Sequence, residues 1–439
     1  MVGLDNNTHQ NVTDSEDDVC EPQIVCEQSD RFLHDVLTRR IRQPDHWYNG
    51  FTSNAFWEGN RAWLLRRGLH LYDIEDPPVW HQIPGRYWLS PTNASSLQVE
   101  LPWAKVARTG GQPIPAFRTA GQIAPARDSS GRDVILKAIG RNDQENIICK
   151  SLLGAVEHTD PSTFPYIVPP LAVLDTPYDY SIVSMPRWGE IAWIKDIDSP
   201  RECLRFIDCM LRSLVFLHAR RIAHLDIITV NILVDYFRLD NDLDALESDV
   251  RECRNQGDIE HTFALIDFGV SMQLPLHESL RTCRRPASEF IGNRAFPPDD
   301  MIWGAPFCNP FAYDVGSMGN IFRRYWAPMA AHVPSLAPLF DRMTTHVLHE
   351  RFTAEEALCF FRDTTSHLSA ETLDTKCSTE LNWSVTSDAY WSRLSPQDQA
   401  TWRRHRTPPL PWWTPVLEWL LQTDTAWFAL AHVRRLLGI

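Results

Sequence analysis

Apolar residues recur at two spacings along this chain, and the switches between them mark out its elements. From Phe56 to Leu71 the run FWEGNRAWLLRRGLHL sets Phe56, Trp63, Leu64, Leu69 and Leu71 at helical spacing, which predicts an amphipathic helix. The stretch from there to about Pro102 is rich in Trp and Pro and predicts an irregular extension. From Val106 the pattern becomes strand-like. ARDSSGRDVILKAIG reads as strand, Ser-Ser-Gly turn, strand, and RNDQENIICKSLLG returns to helix. CLRFIDCMLRSLVFLHARR is a long helix whose Leu204, Ile207, Leu211, Leu214, Val215 and Leu217 form one stripe, with Cys203 and Cys209 as core thiols. TFALIDFG is strand again. Between these last two lies a segment, Asp235 to Glu260, with nine acidic residues against three arginines. It reads as a solvated, partly helical insertion, dispensable for folding. The tail turns to Trp and Pro (PPLPWWTPVLEWLL) and ends on a helix candidate, WFALAHVRRLLGI.

These shifts divide the chain into an acidic, disordered N-terminus (1–30), an N-terminal extension (31–105), a strand-rich region (106–190), a helical region (191–370) carrying the insertion at 235–260, and a Trp/Pro-rich tail (371–439). With 439 residues, 44% of them hydrophobic, the chain has enough apolar material for two lobes around a sizeable core. A net charge of −14 argues against nucleic acid as a partner, because such binding is mostly electrostatic. Ten cysteines without a CxxC pair or zinc spacing suit a reduced compartment. No secretory signal and no apolar run of bilayer length is visible, so the expectation is a cytoplasmic or nuclear protein without a membrane partner.

Several polar residues stand out from this apolar frame. HLDIITVNILV contains Asp226 and Asn231; ALIDFG contains Asp267; VILKAIG contains Lys137, with Glu145 eight residues on at the start of a helix. Singly, each has a plain structural reading: a solvated lysine at a strand end, a helix cap, a surface ion pair. Together they match what phosphoryl transfer requires, namely a cation for the α/β-phosphates, oxygen ligands for Mg²⁺ and a carboxylate that takes the hydroxyl proton. In this order the motifs resemble those of protein kinases. The resemblance makes Asp226 the catalytic base, Asn231 and Asp267 the Mg²⁺ ligands, and Lys137, paired with Glu145, the ATP phosphate anchor. It points Cys149 toward Phe268. Farther on, GNRAFPPDD resembles the end of an activation segment, YDVGSMG a helix start whose Asp314 holds the catalytic-loop backbone, and RFTAEEAL a helix whose Arg351 pairs with Asp299.

Residues 50–365 also resemble a family of fungal, mainly basidiomycete, kinase-like proteins, through FWEGNRAWLLRRGLHL, the hinge MPRWG (Met185 to Gly189) and AHLDIITVNIL. What this implies is an α+β, bilobal protein-kinase-like fold. The small β-rich N-lobe and hinge would occupy 106–190 and the larger helical C-lobe 191–370. The cofactors would be ATP and Mg²⁺, with Gly121 and Met185 lining the nucleotide site. The substrate would be a protein hydroxyl, Ser or Thr, and the tail a candidate for partner binding. Three positions depart from the kinase pattern. Of the glycine-rich loop, facing Ala116 to Gly121, only Gly121 remains, unless Gly110-Gly111 serves instead; Leu225 replaces the usual arginine; Ile228 replaces a lysine. These departures leave open a pseudokinase acting as a scaffold, and a small-molecule phosphotransferase.

Overall fold

The structure is a computed structural model; it describes residues 50–75, 87–89, 100–107, 115–117, 121–158, 160–190, 197–238, 261–290, 296–298, 306–377, 386–410 and 424–437, with a few single positions between. The expected disordered N-terminus, Gly110-Gly111, Asp299 and most of the acidic insertion lie outside the described residues.

The first helix, α1, spans Gly50–Leu65. It is shorter at its C-terminal end than the apolar spacing predicts. Gly68 adopts a left-handed φ of 76°, and Leu69 N–H reaches back to Leu64 O at 3.0 Å. That pairing closes a helix at a glycine. Leu69 and Leu71, which extended the helical pattern in the sequence, therefore lead into a strand, β1 (His70–Leu71).

β1 is the edge of a five-stranded antiparallel sheet that continues with β2 (Ile123–Arg127), β3 (Asp133–Gly140), β4 (Ala172–Asp175) and β5 (Tyr180–Pro186), in the spatial order β1-β2-β3-β5-β4. Helix α2 (Gln144–Leu152) follows β3. Successive side chains of a strand face opposite sides. On β3, Val134, Leu136 and Ala138 join Phe56, Trp57, Trp63 and Leu64 of α1 in one core cluster. Ile139, two residues past Lys137 and on the same face, joins the other, larger core. The N-terminal extension is thus part of the sheet, where the sequence suggested only irregular packing. Residues between β1 and β2 make further structure: Asp73–Glu75, Tyr87–Leu89 and Pro115–Phe117 form a small antiparallel sheet.

A second, three-stranded sheet contains β6 (Gly189–Glu190), β7 (Ile232–Val234) and β9 (Phe263–Leu265). Between β7 and β9 the chain forms β8 (Tyr236–Arg238), which runs parallel to Lys105–Ala107. This corrects the expected start of the insertion. Asp235 is buried and accepts from Thr262 N at 3.0 Å, and Phe237 is buried against the body. Gly189 is required here, since a Cβ on it would lie 2.0 Å from Tyr236 O.

The helices α3 (Pro200–Ala219), α4 (Pro310–Trp326), α5 (Leu336–Thr344) and α6 (Ala354–Thr365) enclose the large core, where Phe206 and Trp326 stack edge-on at 4.7 Å. The expected stripe of α3 is buried except for Val215, which is half-buried, and Cys203 and Cys209 are core thiols. The tail caps this body. Asp341 of α5, 1% exposed, accepts from Ser387 Oγ, Tyr390 Oη, Trp391 Nε1 and Thr407 N. Ser387–Trp391 forms helix α7, and Asp424–Leu437 forms helix α8. The fold class is α+β, and no helix among the described residues is long and apolar enough to cross a membrane.

Two outcomes follow for stability. Replacing residues 240–260 with a short Gly/Ser link should leave the melting temperature within a few degrees of wild type, because loop-closure entropy changes slowly with length. Replacing 235–260 should instead lose about 3 kcal/mol or more, since it removes the buried Phe237. Equal melting curves for the two deletions would contradict the role given to β8. Asp341→Ala strands four donors, two of them on the buried side chains of Tyr390 and Trp391, and should cost about 3 kcal/mol in urea unfolding while exposing 386–410 to protease. Unchanged stability and unchanged cleavage would mean that the tail is held elsewhere.

Candidate functional site

Four chain segments meet over the face of the five-stranded sheet opposite α1. The alternation of β3 turns Lys137 away from α1, opposite Ile123 of β2 and Val183 of β5. The turn after β3 then starts α2, which brings Glu145 into the helix's first turn. Lys137 Nζ lies 2.6 Å from Glu145 Oε1 and 2.8 Å from Asp267 Oδ1. The expected strand–helix ion pair is therefore present, and Asp267 completes a triad across 130 residues of sequence.

Asp267 arrives at the end of β9. Its backbone is left-handed, φ 70°, and its Oδ1 also accepts from Gly269 N at 2.9 Å. Ile266 N donates to Asn231 O at 3.0 Å, so the start of β7 and the end of β9 lie side by side. Asn231 Nδ2 donates to Asp226 Oδ2 at 2.8 Å and to the Asp226 carbonyl at 3.0 Å. Asp226 Oδ1 is buried and has no hydrogen-bond partner among the described residues.

Behind this strip stands Asp314, fully buried on α4. Its carboxylate accepts from His224 N at 2.7 Å and Leu225 N at 2.8 Å, and contacts His218 Nε2 at 3.0 Å. His224 is a packed residue: its Nε2 meets Ile266 O at 3.0 Å and its ring lies against Phe268. Leu225 has a left-handed φ of 64°, and its side chain is buried.

The electrostatics follow from this packing. Burial lowers the Lys137 ammonium, but Glu145 and Asp267 outweigh it and hold Lys137 above its ordinary value. Burial raises the Asp267 carboxyl, yet Lys137 and the Gly269 amide overcome this and bring it down to about 2. Asp226 is raised, chiefly by burial, with the Asn231 hydrogen bond pulling the other way. Burial pushes the Cys149 thiol up to about 12, and Cys149 shares a core cluster with Phe268.

The remaining nominated residues are less closely gathered. Gly121 sits in the turn before β2, its carbonyl accepting from Trp57 Nε1 at 3.1 Å. Ala116 and Phe117 belong to the separate small sheet, and 118–120 lie outside the described residues. Met185 is half-buried on β5, two residues beyond Val183 and on the same face. Buried Arg351 donates to the carbonyls of Thr345 and Ala312, while its expected partner Asp299 is not among the described residues. Sequence reasoning missed His218; its only signal was a second histidine six residues before His224. A cavity of about 180 Å³ lined by His218, Phe311 and Arg351 includes none of the site carboxylates.

Among the described residues no group of three His, Cys, Asp or Glu side chains could hold a metal ion. Asn231, whose amide nitrogen donates to Asp226, and Asp267 are the residues that could offer a cation an amide oxygen and a carboxylate. One amide and one carboxylate suit Mg²⁺ that brings its other ligands as phosphates and water. The chain matches no protein-family model and no curated protein.

Lys137→Met should raise the Asp267 carboxyl well above about 2, as followed by ¹³C NMR titration of labelled aspartate, because the main opposing cation is gone. In wild type the depressed value means that Asp267 contributes stability above its unfolded value of 3.8, which is lost as the pH falls toward 2. A titration unmoved by the substitution would show that Lys137 does not set it.

Proposed function

We propose that the chain is a bilobal protein kinase that transfers the γ-phosphate of ATP to a protein hydroxyl, Ser or Thr. The observation that carries this reading is the convergence of Lys137, Glu145 and Asp267 in one ion-paired triad, with Asn231 bonded through its backbone to Ile266, the residue before Asp267, and through its side chain to Asp226. Lys137 faces the α/β-phosphates with Glu145 fixing its position. Asp267 and Asn231 Oδ1 would hold Mg²⁺, which would neutralise phosphate charge. Asp226, held by Asn231 through Oδ2, is the carboxylate that would take the hydroxyl proton. The hydroxyl oxygen bonds to the γ-phosphorus as the bond to the β–γ bridging oxygen breaks, ADP leaves, and the hydroxyl proton passes to Asp226.

A second reading, a nucleotide-binding scaffold without transfer, draws on two observations. The strands β1 and β2 are joined not by a tight glycine loop but through residues 72–122, which include another sheet, and Ile228 is buried where kinases carry a lysine. The two readings separate on Asp226. In a kinase, Asp226→Ala should abolish transfer to a protein substrate while ATP-dependent thermal stabilisation persists, and Asp267→Asn should remove the Mg²⁺-dependent part of that stabilisation. A scaffold gives no transfer from either form. Equal transfer by wild type and Asp226→Ala, with contaminating kinases excluded, would remove the assignment.

The pH dependence is a further check. A proton acceptor must be ionised, so with Asp226 raised the acid limb of the rate profile should lie above the ordinary aspartate value of 3.8. Asn231→Ala removes a hydrogen bond to the ionised form and should move that limb higher still. An acid limb that stays in place in Asn231→Ala would count against Asp226 as the acceptor.

A further inference from the structure

Leu225 directly precedes Asp226, and two forces fix its left-handed turn. Asp314 holds its amide from one side. Its side chain, 3% exposed, is buried in a cluster with Leu274, Cys283, Cys308, Phe311 and Tyr313. Most of that cluster comes from the segment 270–308 that follows Asp267. Its cover is not local. Ala426 and Leu430 of α8, from the end of the chain, pack against it. They lie four residues apart and so share one helix face. Thr425, Ala429 and His432 on the other faces are exposed.

We infer that α8 is a brace acting in cis, with Ala426 and Leu430 as positioning residues that hold the 270–290 segment and the Leu225 turn, and through them Asp226. The physical basis is the cluster itself. A left-handed leucine keeps that conformation only while its surroundings over-determine it. An apolar cluster built from a loop-rich segment loses order when its cover is removed. The brace needs no charge and no modification, only the helix seated on the cluster. Its effect on transfer rests on the kinase reading; its effect on order does not.

The test uses the full-length protein with Leu430→Glu, with Leu430→Ala as the milder change should the first fail to fold. Leu436→Glu is the control, because Leu436 is 73% exposed on the same helix. Hydrogen exchange is followed at the amides of 270–290, beside transfer rates at varied ATP. In Leu430→Glu and Leu430→Ala, exchange over 270–290 should rise about tenfold or more while β3 and α3 stay protected. The maximal rate should fall with little change in the KM for ATP, since Lys137 and Asp267 are held by Glu145, Gly269 and each other. Leu430→Met should restore both, and Leu436→Glu should alter neither. Unchanged exchange in both Leu430 variants overturns the brace, whatever the activity. Raised transfer on loosening α8 also overturns it, because the helix would then be a block. Raised exchange in a protein that transfers no phosphate from any form supports the brace and rejects the kinase reading.

Discussion

A carboxylate in the second turn of a helix, with no exposure at all, is the constraint on which the site depends. Asp314 would be costly to bury alone. It is tolerated because two successive backbone amides, His224 and Leu225, and the ring of His218 surround it. Those amides belong to the turn that carries Asp226. The carboxylate thus joins three elements that share no local sequence: α3 through His218, α4 through its own backbone, and the turn through its amides. The neighbouring His224 carbonyl then accepts from Ser271 Oγ at 2.9 Å, which extends the same tie to the segment beyond Asp267. A helix whose register placed any other residue at this position would leave the two amides to find partners among buried apolar groups.

The sheet contributes the other half by simple alternation. Because β3 has period two, Leu136 and Ala138 reach the α1 cluster only if Lys137 points the other way. A slip of one residue would put the ammonium into a cluster containing Trp57 and Trp63. The apolar pressure that seats α1 is therefore also what aims Lys137 at Glu145 and Asp267. This explains why the helix before the sheet, remote from the chemistry, contributes to the geometry of the triad.

Part of the site could be read from the sequence because Asn231 and Asp267 flank short apolar strands and Lys137 interrupts another, where a lone polar residue has little packing reason to be. Glu145 and Asp314 lie on helices and were legible only through the motifs around them. What the sequence hid depends on pairing over long distances. Tyr236–Arg238 reads as the start of an acidic loop, and only its partner at Lys105–Ala107 makes it a strand. Asp341 in LFDRMT reads as an ordinary helix-surface acid until residues 387–407 close over it. The end of α1 is hidden for a different reason. Leu69 and Leu71 continue the helical spacing, and a single glycine between the two arginines and Leu69 outweighs that pattern.

Backbone strain connects these parts. Leu225 and Asp267, next to or within the two motifs, are both non-glycine residues with left-handed backbones, a conformation that costs about 1–3 kcal/mol each. Each strained residue is held by a charge. At Leu225 the charge is Asp314, which takes the amide the unusual φ presents. At Asp267 it is its own carboxylate, which the turn brings to Gly269 N while Lys137 holds the same oxygen. The two holds differ in what can undo them. The Asp314 carboxylate is fully buried against two backbone amides and the ring of His218. The Asp267 hold shares its oxygen with a lysine that is itself divided between two carboxylates, so any ligand that draws Lys137 or Asp267 toward itself must also rearrange that turn. The buried hold lies on the Asp226 side of the site and the shared one on the Asp267 side. Under the kinase reading this arrangement lets a nucleotide come and go while Asp226 stays in place.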